Sequence, residues 1–298
     1  MFRLCALVAM ALPHVVPAQR DSATAAVIRL QVDNDLIGLR GAGPPPDYDY
    51  THGTRISLTL PNGAAGVALG QEIYTPRHNA DLHVAGDRPY GAWLYGALVM
   101  MRHRGLTLDS LELRAGVTGR PALGEQLQNG VHRLLHNELE RGWSRQIPAR
   151  LAVGLHADRS MILRGGSADS AGPSRFLRGD LGVVAGTVRH ELHLSSAAYW
   201  GWGGARQLRV DAPLVSRPGR WHLEAAYRQE YVLRDLFIDG IAGTPGASHI
   251  PWVEEGYVEA GANLGPWAIG YRYVVRSREY RAAGGGHAYG SIAISRGR

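Results

Sequence analysis

The chain has 298 residues, a formal net charge of +6, 39 glycines, and 13 tyrosines and 7 tryptophans against 3 phenylalanines. It has no lysine, so every basic side chain other than histidine is arginine, and its single cysteine is Cys5. With Cys5 confined to a leader, disulfides, thiolate metal centres and a cysteine nucleophile are excluded for the mature protein.

Met1 to Ala18 carries Arg3, then an apolar stretch from Leu4 to Leu12, then a small-residue cleavage site at Val16-Pro17-Ala18. This is the pattern of a signal peptide, residues 1–18, followed by one mature domain, residues 19–298. Cys5 lies inside the apolar stretch and away from the cleavage site, which argues against a lipoprotein. Beyond the leader no run of about 18 apolar residues offers a transmembrane helix. A basic exported chain meets anionic lipid headgroups rather than nucleic acid. Abundant glycine, tyrosine and tryptophan at moderate hydropathy suit a β-barrel with interfacial aromatics, and a secreted soluble β-protein is the alternative.

Alternating or β-branched segments between turn clusters predict strands at Ala26 to Val32, Thr54 to Leu60, Val67 to Tyr74, Gly91 to Met101 and Leu106 to Val117. The last two are separated by a polar turn around His103-Arg104-Gly105. From Gly124 to Leu135 the period changes: Leu127, Val131, Leu134 and Leu135 recur at helical spacing and predict a buried stripe. Gln128 and His132 lie four apart on another face, with Glu125 three before Gln128. That face is either part of an active site or an ordinary exposed polar surface.

Further strands are predicted at Leu151 to Ala157, Leu181 to Leu194, Ala197 to Trp202, Gln207 to Ala212, Trp221 to Leu233, Gly256 to Leu264, Trp267 to Val275 and Ala288 to Ser295. Gly265-Pro266 is a tight turn, and Gly41 to Pro46 and Gly284 to Gly286 are loops. The total, roughly ten to fourteen strands, fits a mid-sized antiparallel barrel. Two oxygen-rich clusters, Asp33-Asn34-Asp35 and Asp47 to Gly53, read either as turn formers or as ligands for a hard cation.

In order, these pieces resemble the lipid A 3'-O-deacylase family of bacterial outer membranes (LpxR-type). The likeness rests on Asn34-Asp35, Asp49-Tyr50-Thr51-His52-Gly53, Gln71 to Pro76, Gly86-Asp87-Arg88-Pro89-Tyr90, the Gly124 to Arg133 helix and Gly142 to Gln146. It thins out at Asp235 to Gly240 and Ser277 to Tyr280. The resemblance implies an all-β fold, a single transmembrane barrel of about 12 strands with one short active-site helix. It implies a calcium-dependent esterase that removes the 3'-linked acyloxyacyl group of lipid A by chemistry similar to secreted phospholipases A2. His132 would be the general base, Asn34 and Asp35 would organise calcium and the catalytic centre, and Thr51 and Gln128 would support it. Glu138 would help bind substrate.

Two departures stand out. A family lysine is replaced by Asp81, so anion binding would either pass to another group such as Arg77 or be lost, and the chain ends Arg296-Gly297-Arg298 where such barrels commonly end in an aromatic residue. The implied partners are lipopolysaccharide and outer-membrane lipids, with a monomer as the expected state. Hydrolysis of another acylated lipid, phospholipase-like, and a non-catalytic barrel keeping a relic site are the alternatives.

Overall fold

The computed structural model describes residues 26–38, 48–61, 63–80, 83–165, 173–202 and 220–297. The proposed signal peptide, the strand expected at Gln207 to Ala212, the Gly41 to Pro46 loop and Asp81 lie outside the described residues.

A chain that crosses lipid without apolar helices must satisfy its backbone in a sheet with no edges. Twelve strands do so here. They are β1 (Val27–Asn34), β2 (Asp49–Thr59), β3 (Ala65–Thr75), β4 (Gly91–Arg104), β5 (Thr107–Thr118), β6 (Leu151–Gly165), β7 (Ser174–Gly186), β8 (Arg189–Gly201), β9 (Trp221–Asp235), β12 (Trp252–Leu264), β13 (Trp267–Arg276) and β14 (His287–Gly297). Each pairs antiparallel with its sequence neighbour, and β1 pairs with both β2 and β14, which closes the barrel. Two short strands, β10 (Gly240–Ile241) and β11 (Thr244–Pro245), form a separate hairpin. The helices are α1 (Gly124–Leu135) and the single turn α2 (Leu236–Asp239).

The alternation along each strand is inverted relative to a soluble protein. On β4, Trp93, Tyr95, Ala97, Val99 and Met101 are buried in the lumen, while Leu98 and Met100 are exposed on the outer wall. Leu192 and Leu194 on β8 and Ile28 and Leu30 on β1 are exposed in the same way. An apolar exterior of this kind has lipid as its solvent.

The lumen is filled by side chains. Val99, Met101, Leu108, Ile162, Phe176 and Tyr199 pack together in one cluster, and Trp93, Tyr95, Ile147, Val188, Leu236 and Phe237 in another. Ladders of paired charge occupy other parts of the interior. Arg55 grips Glu112 through two bonds of 2.9 and 3.1 Å, and Glu112 also accepts from Arg114 Nε at 2.7 Å. Arg178 bonds Glu224 at 3.0 and 3.2 Å and Asp180 at 3.1 Å. Arg189 reaches Glu230 at 2.8 Å and Asp235 at 3.2 Å. Planar guanidinium forks match carboxylates bidentately, so an all-arginine basic set suits such ladders.

Several expected boundaries shift. Leu181 to Leu194 is not one strand: the chain turns at Thr187-Val188 between β7 and β8, and Ala197 to Trp202 belongs to β8 through Gly201. That turn lacks the usual turn residues because Val188 is itself buried, with its carbonyl accepting from Leu236 N–H at 2.8 Å. β4 runs on to Arg104, so the reversal falls at Gly105-Leu106, where Gly105 takes φ +58°. β14 extends to Gly297 and pairs with β13 and β1 along its length.

Arg178 is 1% exposed, so removing it strands Asp180 and Glu224 in the lumen. Arg178→Met should lower stability by about 3–5 kcal/mol, measured by denaturant titration of the folded barrel. Adding Glu224→Leu should recover part of that loss.

Candidate active site at the outer rim

Three of the connections at one end of the barrel are short: residues 60–64, 105–106 and 265–266. That end also carries 166–173 and 202–220, but the other end, with 35–48, 76–90, 119–150, 236–251, 277–286 and the short 187–188, carries the greater length of connecting chain. Barrels of this class carry their longer loops outside the cell, so this is the outer rim. Asn34, Asp35, Thr51, Arg77, Gln128, His132 and Glu138 all belong to it.

The first group of site residues sits on β1 to β3. Asn34 caps a 3-10 turn (Asp35–Ile37): its Oδ1 accepts from Leu36 N–H at 2.8 Å, and its Nδ2 donates to the Thr51 carbonyl at 3.0 Å. Thr51 lies in a β-bulge, because Tyr50 pairs with Tyr74 and His52 with Ile73. Bulges re-aim side chains and concentrate near active sites. The Thr51 hydroxyl meets the Thr75 hydroxyl at 2.5 Å, both fully enclosed. Asp35 is a buried carboxylate at the start of the turn.

The second group sits on α1. The helix is bounded by two non-glycine residues in the left-handed region, Leu123 and His136, both at φ +60°. Such strain persists only where packing over-determines it. Gly124 lets the helix approach the wall: a Cβ there would stand 2.6 Å from the Ala92 Cβ and from Trp143. Gly124, Gln128, Asn129 and His132 are the buried face. The expected buried stripe is therefore corrected: Leu134 is 77% exposed, Val131 and Leu135 are exposed, and only Leu127 packs inward, against the cluster of Ile73, Tyr90, Ala92, Ala122 and Trp143. Glu125 is exposed as well.

Beyond its C-terminus the chain folds back onto the helix. Asn129 forms a reciprocal pair with the backbone of Glu140, donating to its carbonyl at 3.1 Å and accepting from its N–H at 2.8 Å. Asn79 does the same from the opposite side, bonding the Leu139 carbonyl at 3.1 Å and the Arg141 N–H at 3.0 Å. Tyr90 donates to the Glu140 carboxylate. Held in this way, the segment presents the Glu138 carbonyl to His132 Nδ1. A carbonyl only accepts, so Nδ1 donates, and in the neutral imidazole the lone pair then lies on Nε2. Glu138 thus acts here through its backbone, and its side chain is exposed. Gln128 Oε1 accepts from Trp143 Nε1 at 3.1 Å, and Trp143 is 1% exposed.

Arg77 is already committed. It holds Asp49 at 2.5 and 3.1 Å, donates to the Gly285 carbonyl at 2.7 Å and lies over the Tyr48 ring. Arg88 is fully buried and joins three loops, bonding the Phe237 carbonyl at 3.2 Å and Glu279 at 3.3 Å with Asp49 at 3.7 Å. Asn79 and Glu140 lie outside the motifs singled out in the sequence, and Tyr90, Asn129 and Trp143 lie inside them with no role of their own assigned, yet all five shape this rim. Asn129-Gly130 in mid-helix was the available signal, since both residues are poor helix formers that need another reason to be there.

The oxygen donors near the first group are the Asp35 carboxylate, the Asn34 amide oxygen with one lone pair left, and backbone carbonyls. All are hard ligands of the type calcium takes. Among the described residues no group of three or more His, Cys, Asp or Glu side chains could hold a metal, so any calcium shell leans on Asp35 for charge and on carbonyls and water for the rest.

The family described as Outer membrane protein LpxR matches residues 2–297. The chain belongs to the LpxR family of outer-membrane proteins. The solved structure of LpxR from Salmonella typhimurium superposes with a TM-score of 0.77 at 21% identity, covering 91% of this chain and 100% of that one. The β domain of the Bordetella autotransporter BrkA (TM-score 0.45, 12% identity, 93% and 99% covered) and the NanC porin (0.40, 7%, 92% and 100%) are more distant barrels. Among curated proteins none matches the chain in sequence. The family setting places the barrel in the outer membrane and gives its apolar outer wall a lipid partner.

The Gly86 to Tyr90 motif proves to be a loop clamp. Asp87 accepts from the Arg77 and Arg88 amides at 3.2 and 2.8 Å, from Tyr280 at 2.9 Å and from His78 at 2.7 Å. Burial alone would raise its pKa, but the bonds from His78, Tyr280 and the two amides outweigh burial and hold the carboxyl below its ordinary range. A depressed carboxyl stabilises the fold above the unfolded pKa of about 3.9 and loses that contribution as pH falls through the folded value. Amide exchange at Arg77 and Arg88, corrected for intrinsic rates, should therefore stay slow at neutral pH and accelerate below about pH 4. Asp87→Asn should show fast exchange already at neutral pH.

Proposed function

We propose that the protein is an outer-membrane esterase that removes the 3'-linked acyloxyacyl group from lipid A, with His132 as general base. The observation that carries this reading is the imidazole itself. Its Nδ1 is fixed on the Glu138 carbonyl, on a helix whose polar face is buried on the rim and whose other face is apolar and exposed. An amphipathic helix turned this way lies in the interface, with Val131, Leu134 and Leu135 toward acyl chains. The outward residues Leu151 and Val153 of β6 continue that surface along the wall.

In the reaction Nε2 takes a proton from water and the resulting hydroxide attacks the ester carbonyl. The tetrahedral intermediate then collapses, and the imidazolium returns the proton to the departing alkoxide. Neither a serine nor a cysteine nucleophile is needed. Gln128, tied to Trp143, and Thr51, tied to Thr75, hold the surrounding polar surface in place. Calcium bound through Asp35, with Asn34 and backbone carbonyls, would polarise the ester carbonyl and stabilise the oxyanion.

A second reading, hydrolysis of an acyl ester in another envelope lipid, is favoured by one observation. Arg77, the expected phosphate ligand, is already neutralised by Asp49.

Mass spectrometry of lipid A and phospholipids from a Gram-negative host making the protein separates these readings. Loss of one acyloxyacyl unit from lipid A is expected, abolished by chelating calcium and reduced about 10²–10⁴-fold in His132→Ala. Shortened phospholipids with intact lipid A would support the second reading. Unchanged lipids with folded barrel in the outer membrane would contradict both.

A further inference from the structure

We infer that the outer wall formed by β6 to β9, at the end of the barrel opposite α1, binds an anionic glycerophospholipid of the periplasmic leaflet. Its phosphate would sit on Arg164 and Arg175 and an acyl chain would lie across Ala198 and Ala225. The inference is independent of the catalytic reading.

The ladder registers build the site. Leu177 stands opposite Arg164 on one side and Ala198 on the other, Ala198 opposite Ala225, and Ala225 opposite Val258. Residues paired in a sheet share a face, and the exposure of Leu177, Ala198, Ala225 and Val258 puts this row on the lipid side. One row nearer the periplasm, Arg175 faces Trp200, which faces Leu223. Two alanines flanked by Leu177, Trp200, Leu223 and Val258 leave a depression in the wall, with a volume of about 840 Å³.

Charge decides what fills it. Arg164 and Arg175 are both exposed at its rim, and among the described residues neither forms an ion pair. The Arg175 guanidinium lies 5.0 Å from the Trp200 ring centroid, and Trp200 stands edge-on to Trp221 at 5.0 Å. The two carboxylates beside the depression are turned into the lumen, where Glu224 is held by Arg178 and Glu259 by Arg272. Tryptophan at this depth marks the membrane interface, and two arginine forks there match a phosphate bidentately. A wall in which an apolar groove meets, at the headgroup level, two cations with no ion pair among the described residues fits one kind of molecule, a phospholipid with net negative charge.

Native mass spectrometry of the full-length barrel, released from detergent after incubation with equal amounts of phosphatidylglycerol and phosphatidylcholine, tests the site. Retention of phosphatidylglycerol over phosphatidylcholine is expected, reduced about 10-fold in Arg164→Gln/Arg175→Gln. Ala198→Trp, which fills the groove and keeps both charges, should lose it as well. Heat-modifiable migration on gels establishes that each variant is folded. His132→Ala should retain the lipid like the unaltered protein, which separates this result from any result on catalysis. Equal retention of the two lipids, or undiminished retention by the folded double arginine variant, would overturn the proposal.

Discussion

Two asparagine side chains hold the return segment of the rim in place. Asn129 from the helix and Asn79 from the loop after β3 each grip the backbone of residues 139–141, from opposite sides, through a donor and an acceptor. A side-chain amide has the same donor and acceptor pair as a peptide unit, so each contact works like one rung of a sheet. Without these rungs the return segment would be an exposed loop, and the carbonyl of Glu138 would have no reason to lie at His132 Nδ1. The tautomer of the neutral imidazole depends on that backbone position.

A second constraint comes from the solvent. In water an amphipathic helix buries its leucines. Here α1 buries Gln128, Asn129 and His132 and leaves Leu134 and Leu135 outside, as the strands do with Leu98, Leu192 and Leu194. The inversion lets one short helix serve two purposes. Its polar face completes the rim, and its apolar face extends the barrel wall toward the lipid from which a substrate with acyl chains would arrive. Beneath it the described loops are tied together through Arg88, Asp87, Tyr280 and Phe237, and the lumen below holds packed side chains and ion pairs. An interior filled in this way is unlike an open channel, and access to His132 from the membrane side fits the arrangement better than access through the barrel.

The barrel was legible in the sequence because two-residue alternation, turn glycines and interfacial aromatics are local signals. The helix was legible from its period, but not which face it buries, since periodicity cannot say whether oil or water lies outside. The turn at Thr187-Val188 was hidden because its valine serves the core of the loop cap. His132, Asn34 and Thr51 could be singled out by resemblance. Their bonds could not, because Asn129 and Glu140 lie eleven positions apart and Arg77 meets a carbonyl 208 residues away. The anion-binding role expected of Arg77 illustrates this limit: a free cation in the sequence is a spent one in the fold.

The most direct test of the central claim, that the Asn129 clamp orients His132 for catalysis, is the turnover of Asn129→Leu on lipid A in mixed micelles. Leucine keeps the volume and removes both rungs to Glu140. With the barrel folded by heat-modifiable migration, kcat should fall about 10²-fold while KM changes little. Undiminished kcat in the folded variant would contradict the account, since the Glu138 carbonyl would then not be what positions the base.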